Sequence, residues 1–89
     1  MAATVDREHR IKRLRFRAWH RGTREMDLLM GRFADASLET MSEAQLERFE
    51  ALMERPDPEV YGWLVGRTEV PSELRDDVIE LILNFHKSD

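Results

Sequence analysis

The chain has 89 residues, of which 36% are charged and none is cysteine, and it carries a formal net charge of -4 at pH 7. A length of this order allows one small domain that buries roughly two-thirds of its extended-chain surface, which leaves no room for a deep catalytic cavity. Without cysteine there is no disulfide frame, thiolate nucleophile or thiolate metal site, so Leu, Met, Phe, Val and Ile must supply the core.

The net charge conceals a split. Residues 1–24 hold eight basic side chains (Arg7, Arg10, Lys12, Arg13, Arg15, Arg17, Arg21 and Arg24) against Asp6 and Glu8, a net of +6; the other 65 residues hold 6 basic and 16 acidic, a net of -10. Such a basic segment suits nucleic-acid phosphate, an acidic protein surface or the acidic remainder of its own chain, and it is equally consistent with a merely solvated face. Charges interrupt every apolar stretch, so nothing approaches the roughly 18 apolar residues of a membrane span. Asp6 and Glu8 and the lack of a signal-type apolar run argue against a targeting peptide, so the N-terminus reads as mature sequence.

No segment alternates apolar and polar residues at period two, and the few Gly and Pro fall mostly between segments of helical period. The expectation is an all-α fold, a small five-helix bundle forming one domain over residues 1–89, with 1–5 as a disordered tail. Thr4 or Asp6 caps a first helix running to about His20, with Ile11, Leu14 and Ala18 on one stripe and Phe16 nearly opposite, away from the core. Gly22 ends that helix in a left-handed conformation and Thr23 caps the second, from about Arg24 to Leu38, which buries Met26, Leu29, Met30 and Phe33.

Ser42 and Gln45 have capping-box spacing and open a third helix with the stripe Leu46, Phe49, Leu52 and Met53, which Arg55-Pro56 stops. Asp57 caps a short fourth helix with Pro58 at its first position, carrying Val60, Tyr61, Trp63 and Leu64 and closed by Gly66. After Pro71, Ser72 caps a last helix with Leu74, Val78, Leu81, Ile82 and Phe85 on one side and Lys87 near its C-terminal end.

Chemistry is sparse. His9, His20 and His86 have no ligand-like spacing, so no metal site is expected. Ser42, Ser72 and Thr23 already serve as caps, and no glycine-rich phosphate loop follows a strand; neither catalytic residues nor an enzyme are expected. Trp63 reads as core filler in preference to a binding platform, and Tyr61 is open. Arg21 and Glu25, four residues apart, read either as a local surface pair or as a docking point in which a guanidinium and a carboxylate flank a backbone that another molecule can approach closely.

The run Arg21-Gly22-Thr23-Arg24-Glu25, continued by Met26-Asp27-Leu28-Leu29-Met30-Gly31-Arg32-Phe33-Ala34, resembles the Arg-Gly-x-x-Glu signature of the SdhE family, the succinate dehydrogenase flavinylation factors. Leu52-Met53-Glu54-Arg55-Pro56-Asp57-Pro58-Glu59-Val60-Tyr61-Gly62-Trp63-Leu64 is similar to the family's Asp-Pro-containing short helix with its tryptophan, so the likeness covers about residues 10–86.

The resemblance implies a five-helix assembly chaperone that binds the flavoprotein subunit of succinate dehydrogenase and promotes covalent attachment of FAD to it, with related fumarate reductase flavoproteins as further clients. It implies no stably bound cofactor, since FAD belongs to the partner, and neither nucleic acid nor membrane insertion. Arg21, Gly22 and Glu25 match the motif without substitution. Arg24, Phe16, Arg17 and His20 would extend the same partner-binding patch, and a bacterial cytoplasm fits better than a mitochondrial matrix. The alternative of a different class is a nucleic-acid-binding helical module, in which the basic first helix grips phosphate and Phe16 or Trp19 stacks on bases.

Overall fold

The computed structural model describes residues 2–87, with side chains from Asp6 onward. Five α-helices follow one another: α1 (Ala2–Trp19), α2 (Arg24–Ser37), α3 (Glu43–Met53), α4 (Asp57–Leu64) and α5 (Asp77–Lys87). Single 3-10 turns occupy Leu38–Thr40 and Ser72–Leu74, and no strand occurs among the described residues. The all-α class is what the helical spacing of apolar residues dictates. The tail expected over residues 1–5 falls on positions whose side chains lie outside the described set.

Two compact units divide the chain, Met1–Met41 and Ser42–Asp89. In the first, α1 packs on α2, and both adjoin the 3-10 turn after α2. Ile11, Leu14 and Ala18 from α1 are buried, as are Met26, Met30, Phe33 and Ala34 from α2 and Leu38 and Met41 beyond it. Each fully buried Leu, Met or Phe side chain contributes about 1.5–3 kcal/mol through the apolar area taken from water. Leu29, expected in this stripe, is only half-buried.

The start of α1 corrects the sequence expectation. Asp6 lies inside the helix, which begins at Ala2, and the Thr4 side chain is outside the described set. At the other end, α1 stops at Trp19, so Gly22 is a linker residue three positions beyond the helix and not its terminal cap.

Part of the basic charge of α1 is used inside this unit. Arg7 donates to the carbonyls of Glu39 and Met41, at 3.2 and 2.5 Å, tying α1 to the end of the 3-10 turn. Arg15 Nη2 reaches Glu39 at 3.3 Å, while its Nε lies 3.2 Å from Asp35 Oδ1 as an ion pair without hydrogen-bond alignment. Trp19 Nε1 donates to the same Asp35 oxygen at 3.2 Å. Its ring covers Gly31 so closely that a Cβ there would fall 2.2 Å from Trp19 Cδ2 and 2.4 Å from Cε2.

The second unit opens on a complete capping box. Ser42 Oγ accepts from the Gln45 N–H at 3.1 Å and the Gln45 side chain accepts from the Ser42 N–H at 3.0 Å. All four expected α3 positions, Leu46, Phe49, Leu52 and Met53, are buried. Both α3 and α4 pack on α5. Pro56 is the capping residue of α4 and offers no side-chain acceptor, so Asp57 is the first helical residue and not the cap.

Trp63 is 6% exposed, which makes it core, whereas Tyr61 is half-buried with the Arg67 guanidinium 5.8 Å from its ring centroid. Gly66, at φ +80°, closes α4 as expected: the Arg67 N–H donates to Gly62 O at 2.8 Å and the Gly66 N–H to Trp63 O at 3.3 Å. This is the two-bond arrangement that satisfies the last carbonyls of a helix, with glycine taking the left-handed position at least steric cost.

The last helix starts later than Ser72. Residues Ser72–Leu74 make one 3-10 turn, Arg75 is extended at φ -75° and ψ 120°, and Asp76 supplies the cap by accepting from the Ile79 N–H at 2.9 Å. Restarting there rotates the apolar face: Val78, Ile79 and Ile82 are buried, Leu74 and Phe85 are half-buried, and Leu81 is 42% exposed. Asp76, and not Ser72, is the cap because the extended Arg75 separates Ser72 from the helix.

Asp77 links α5 to α3. Its carboxylate accepts from Gln45 Nε2 at 3.0 Å and from Arg48 Nη1 at 2.9 Å. The Gln45 hydrogen bond foremost, then the Arg48 charge, hold its pKa below the ordinary carboxylate value against an opposing desolvation. A depressed folded-state pKa means that the contribution is present above the unfolded value of about 3.9 and is lost as pH falls through the lower folded value. Asp77→Asn is therefore expected to lower the melting temperature at pH 7 slightly, with the difference from wild type shrinking as pH falls below about 4 in a thermal-denaturation series. A difference that stays constant down to acid pH would contradict this reading.

Candidate functional site

Four residues, His20 to Thr23, join α1 to α2, and their conformation follows from three local devices. Gly22 has φ +124°, a region that residues with a Cβ rarely adopt, although nothing lies within 4 Å of where that Cβ would be. Glycine is required there by the backbone and not by a lack of space. Thr23, extended at φ -126° and ψ 151°, caps α2 by accepting from the Met26 N–H at 3.3 Å, and its carbonyl takes the Asp27 N–H at 2.9 Å.

The third device is Asp27. Its Oδ1 accepts from the Arg21 N–H at 2.6 Å and from the Gly22 N–H at 3.3 Å, so a carboxylate in the first turn of α2 reaches back over the loop. A carboxylate binding successive backbone N–H groups supplies charge-assisted bonds that an unbraced loop would have to take from water. Sequence reasoning missed this residue, although an acid four positions after a Thr cap is a visible sign of it.

Arg21 is half-buried, while Gly22, Thr23, Arg24 and Glu25 are exposed, with Arg24 and Glu25 standing on the first turn of α2. On the last turns of α1, Phe16 is 63% exposed and the His20 ring stacks on it, centroids 4.0 Å apart and planes 19° from parallel. His20 Nδ1–H donates to the Phe16 carbonyl at 2.7 Å, which fixes that ring nitrogen as the protonated one. Arg17, beside Phe16, is exposed as well.

The structure thus brings Phe16 and His20 into one stacked pair next to the loop that carries Arg21 and Gly22. Trp19, offered with Phe16 as a stacking residue for nucleic-acid bases, is instead packed on Gly31 and hydrogen-bonded to Asp35. Among the described residues no cluster of three or more His, Asp or Glu side chains could hold a metal ion, and no helix is long and apolar enough to cross a membrane.

These observations define a small all-α protein whose distinctive feature is a braced, polar interhelical loop. The family described as flavinator of succinate dehydrogenase matches this chain over residues 12–86. The FAD assembly factor SdhE of Acetobacter pasteurianus is 48% identical over 64 residues, 72% of this chain and 59% of that relative. The mitochondrial succinate dehydrogenase assembly factor 2 of Dictyostelium discoideum is 35% identical over 78 residues, 88% of this chain and 55% of that relative. For the FAD assembly factor SdhE of Legionella pneumophila (strain Paris) the values are 36% over 64 residues, 72% of this chain and 80% of that relative. The chain thus spans less than two-thirds of the length of the first two of these relatives. No solved structure matches it.

The chain belongs to the SdhE family of succinate dehydrogenase flavinylation factors.

Proposed function

We propose that this protein binds the flavoprotein subunit of succinate dehydrogenase and promotes covalent attachment of FAD to a histidine of that subunit. It acts as an assembly chaperone: it holds the flavoprotein so that histidine and flavin methyl carbon are aligned, and the rate gain is positional. No acid or base from this chain is needed for the bond, and FAD remains the partner's cofactor. Fumarate reductase flavoproteins are proposed as further clients by their relation to the same subunit. The bacterial cytoplasm is the proposed location; the bacterial relatives favour it, whereas the mitochondrial ones point to the matrix as the competing site.

The single observation that carries this reading is the braced loop at half-buried Arg21 and exposed Gly22, whose residues resemble the family's Arg-Gly-x-x-Glu signature and which has the exposed Glu25 beside it. In the proposed complex Arg21 makes a bidentate contact to a partner carboxylate or carbonyl pair, Gly22 admits the partner's backbone, and Glu25 accepts from a partner donor. Arg24, Arg17 and the Phe16–His20 stack border that contact.

Purified flavoprotein, FAD and a dicarboxylate are mixed with wild-type, Arg21→Ala or Glu25→Ala protein, and covalent flavin is read by in-gel fluorescence. Loss of one charge-assisted contact, worth about 1.5–3 kcal/mol, is expected to lower the yield at limiting protein by roughly tenfold or more. Wild-type yield from both variants would overturn the assignment of the motif.

A further inference from the structure

The loop is not held in shape by its own residues alone. Thr23 satisfies the start of α2, but the Arg21 and Gly22 N–H groups point back to a single acceptor, Asp27 Oδ1, at 2.6 and 3.3 Å. Both amides lie immediately before the φ torsion of Gly22, the one position of the loop at positive φ, where the chain has more conformational freedom than anywhere else in the link, and Asp27 holds them from the α2 side of that torsion. Asp27 itself is half-buried, four residues along α2 from the capping Thr23, so its own position is set by helical geometry and not by the loop.

We infer that Asp27 is a positioning residue for docking: it does not contact the partner, but its carboxylate oxygen keeps the loop in the one backbone shape that the partner accepts. This rests on the function proposed above and adds a residue that the motif does not include. A loop that must be ordered on binding lowers the apparent affinity by the fraction of time it spends in the competent shape. Asp27 removes that loss by bracing the loop before the partner arrives.

The inference separates Asp27 from Arg21 and Glu25 in kind. What Asp27 supplies is an acceptor at Oδ1, and asparagine keeps an acceptor there, although a neutral and weaker one. Alanine removes it and leaves two backbone donors to water. A residue acting through its charge on the partner would instead lose its effect equally in both variants.

The experiment uses the full chain as wild type, Asp27→Ala, Asp27→Asn and Arg21→Ala, with two readouts. Amide hydrogen exchange reports the loop directly, and covalent flavinylation of the purified flavoprotein with FAD, titrated against each variant, reports docking. For Asp27→Ala the Arg21 and Gly22 amides are expected to exchange about tenfold faster or more while the amides of Leu14 and Met30 keep their rates, which marks a local and not a global loosening. Its flavinylation curve is expected to shift to about tenfold higher protein concentration and to reach the wild-type plateau, because a rarer competent loop weakens binding without touching the chemistry. Asp27→Asn should recover most of both effects.

Three results would overturn the inference. One is an Asp27→Ala loop that stays protected; another is a loosened loop with an unshifted titration; the third is an Asp27→Asn protein as defective in docking as Asp27→Ala. In each of these Arg21→Ala can still reduce flavinylation, which would leave the docking function standing and remove only the role of Asp27. If Arg21→Ala has no effect either, the docking reading falls together with it.

Discussion

Gly22→Arg protein is expected to fail at docking while it keeps its helical circular dichroism. The structure separates two consequences of that change. The Cβ site at Gly22 is open, with nothing within 4 Å, so a side chain can leave the backbone there without an immediate clash, on the surface where the proposed partner approaches. The φ of +124°, however, places any non-glycine residue in a disfavoured backbone region, which costs about 1–3 kcal/mol. A chain of this size loses roughly 4–8 °C in melting temperature per kcal/mol, so the variant is expected to melt about 5–20 °C lower and still fold.

Gly22→Ala distinguishes the two causes, because alanine carries the backbone cost without the bulk. If docking is blocked by obstruction, Gly22→Ala retains much more flavinylation than Gly22→Arg at equal concentration. Equal loss in the two would assign the glycine to loop shape alone. Wild-type flavinylation by Gly22→Arg protein would remove Gly22 from the docking surface altogether.

A second large effect on stability is expected at a different glycine. Gly31 sits in the middle of α2, where replacing glycine by alanine ordinarily stabilises a helix by about 1 kcal/mol. Here the added methyl would stand 2.2–2.6 Å from three atoms of the Trp19 indole, closer than any real contact allows. These are atoms in the body of a two-ring system and not the tip of a flexible chain, so the ring must leave or the helices must separate. Overpacking of this kind costs about 1–3 kcal/mol or more and exceeds the propensity gain.

Displacement of Trp19 also breaks its hydrogen bond to Asp35 and removes the cover of a buried helix face. Gly31→Ala is expected to lower the melting temperature by about 10 °C, with a red shift in tryptophan emission as the indole gains water. An unchanged or raised melting temperature would show that the ring adapts at no cost. Comparing Gly22 and Gly31 makes the physical difference plain. One glycine is required by a torsion angle at an open surface, the other by the volume of a neighbouring ring.

Much of the fold could be read from residue pattern because its causes are local. Ser42 and Gln45 lie three residues apart and make both bonds of a capping box whatever surrounds them, and Gly66 closes α4 through carbonyls of the same helix. The stripes Ile11–Leu14–Ala18 and Leu46–Phe49–Leu52–Met53 are buried because helical spacing puts them on one face. Phe16 fell off its stripe and is exposed for the same reason. The start of α5 was misplaced because several acceptors, Ser72, Asp76 and Asp77, compete within six residues. The winner depends on the extended Arg75, which no pattern in the sequence announces.

The candidate site was legible in its residue types and not in its mechanics. Arg21, Gly22 and Glu25 stand out as a motif, and Thr23 as a cap, from sequence alone. Pairing of the Phe16 and His20 rings, the use of Trp19 as a lid on Gly31 and the return of the Asp27 carboxylate to the Arg21 and Gly22 amides all depend on where side chains point once the loop has turned.

By itself, then, the amino-acid order determined the helical class, the main caps and apolar stripes, the charge asymmetry and the family. These are consequences of spacing along one helix or across one turn, where the interacting groups are neighbours in the chain. Tertiary structure alone decided which glycine is constrained by space and which basic residues of α1 are spent on Asp35, Glu39 and the 3-10 turn. Those are choices among several chemically equivalent partners, and only the packed positions of α1 and α2 bring one of them within bonding distance.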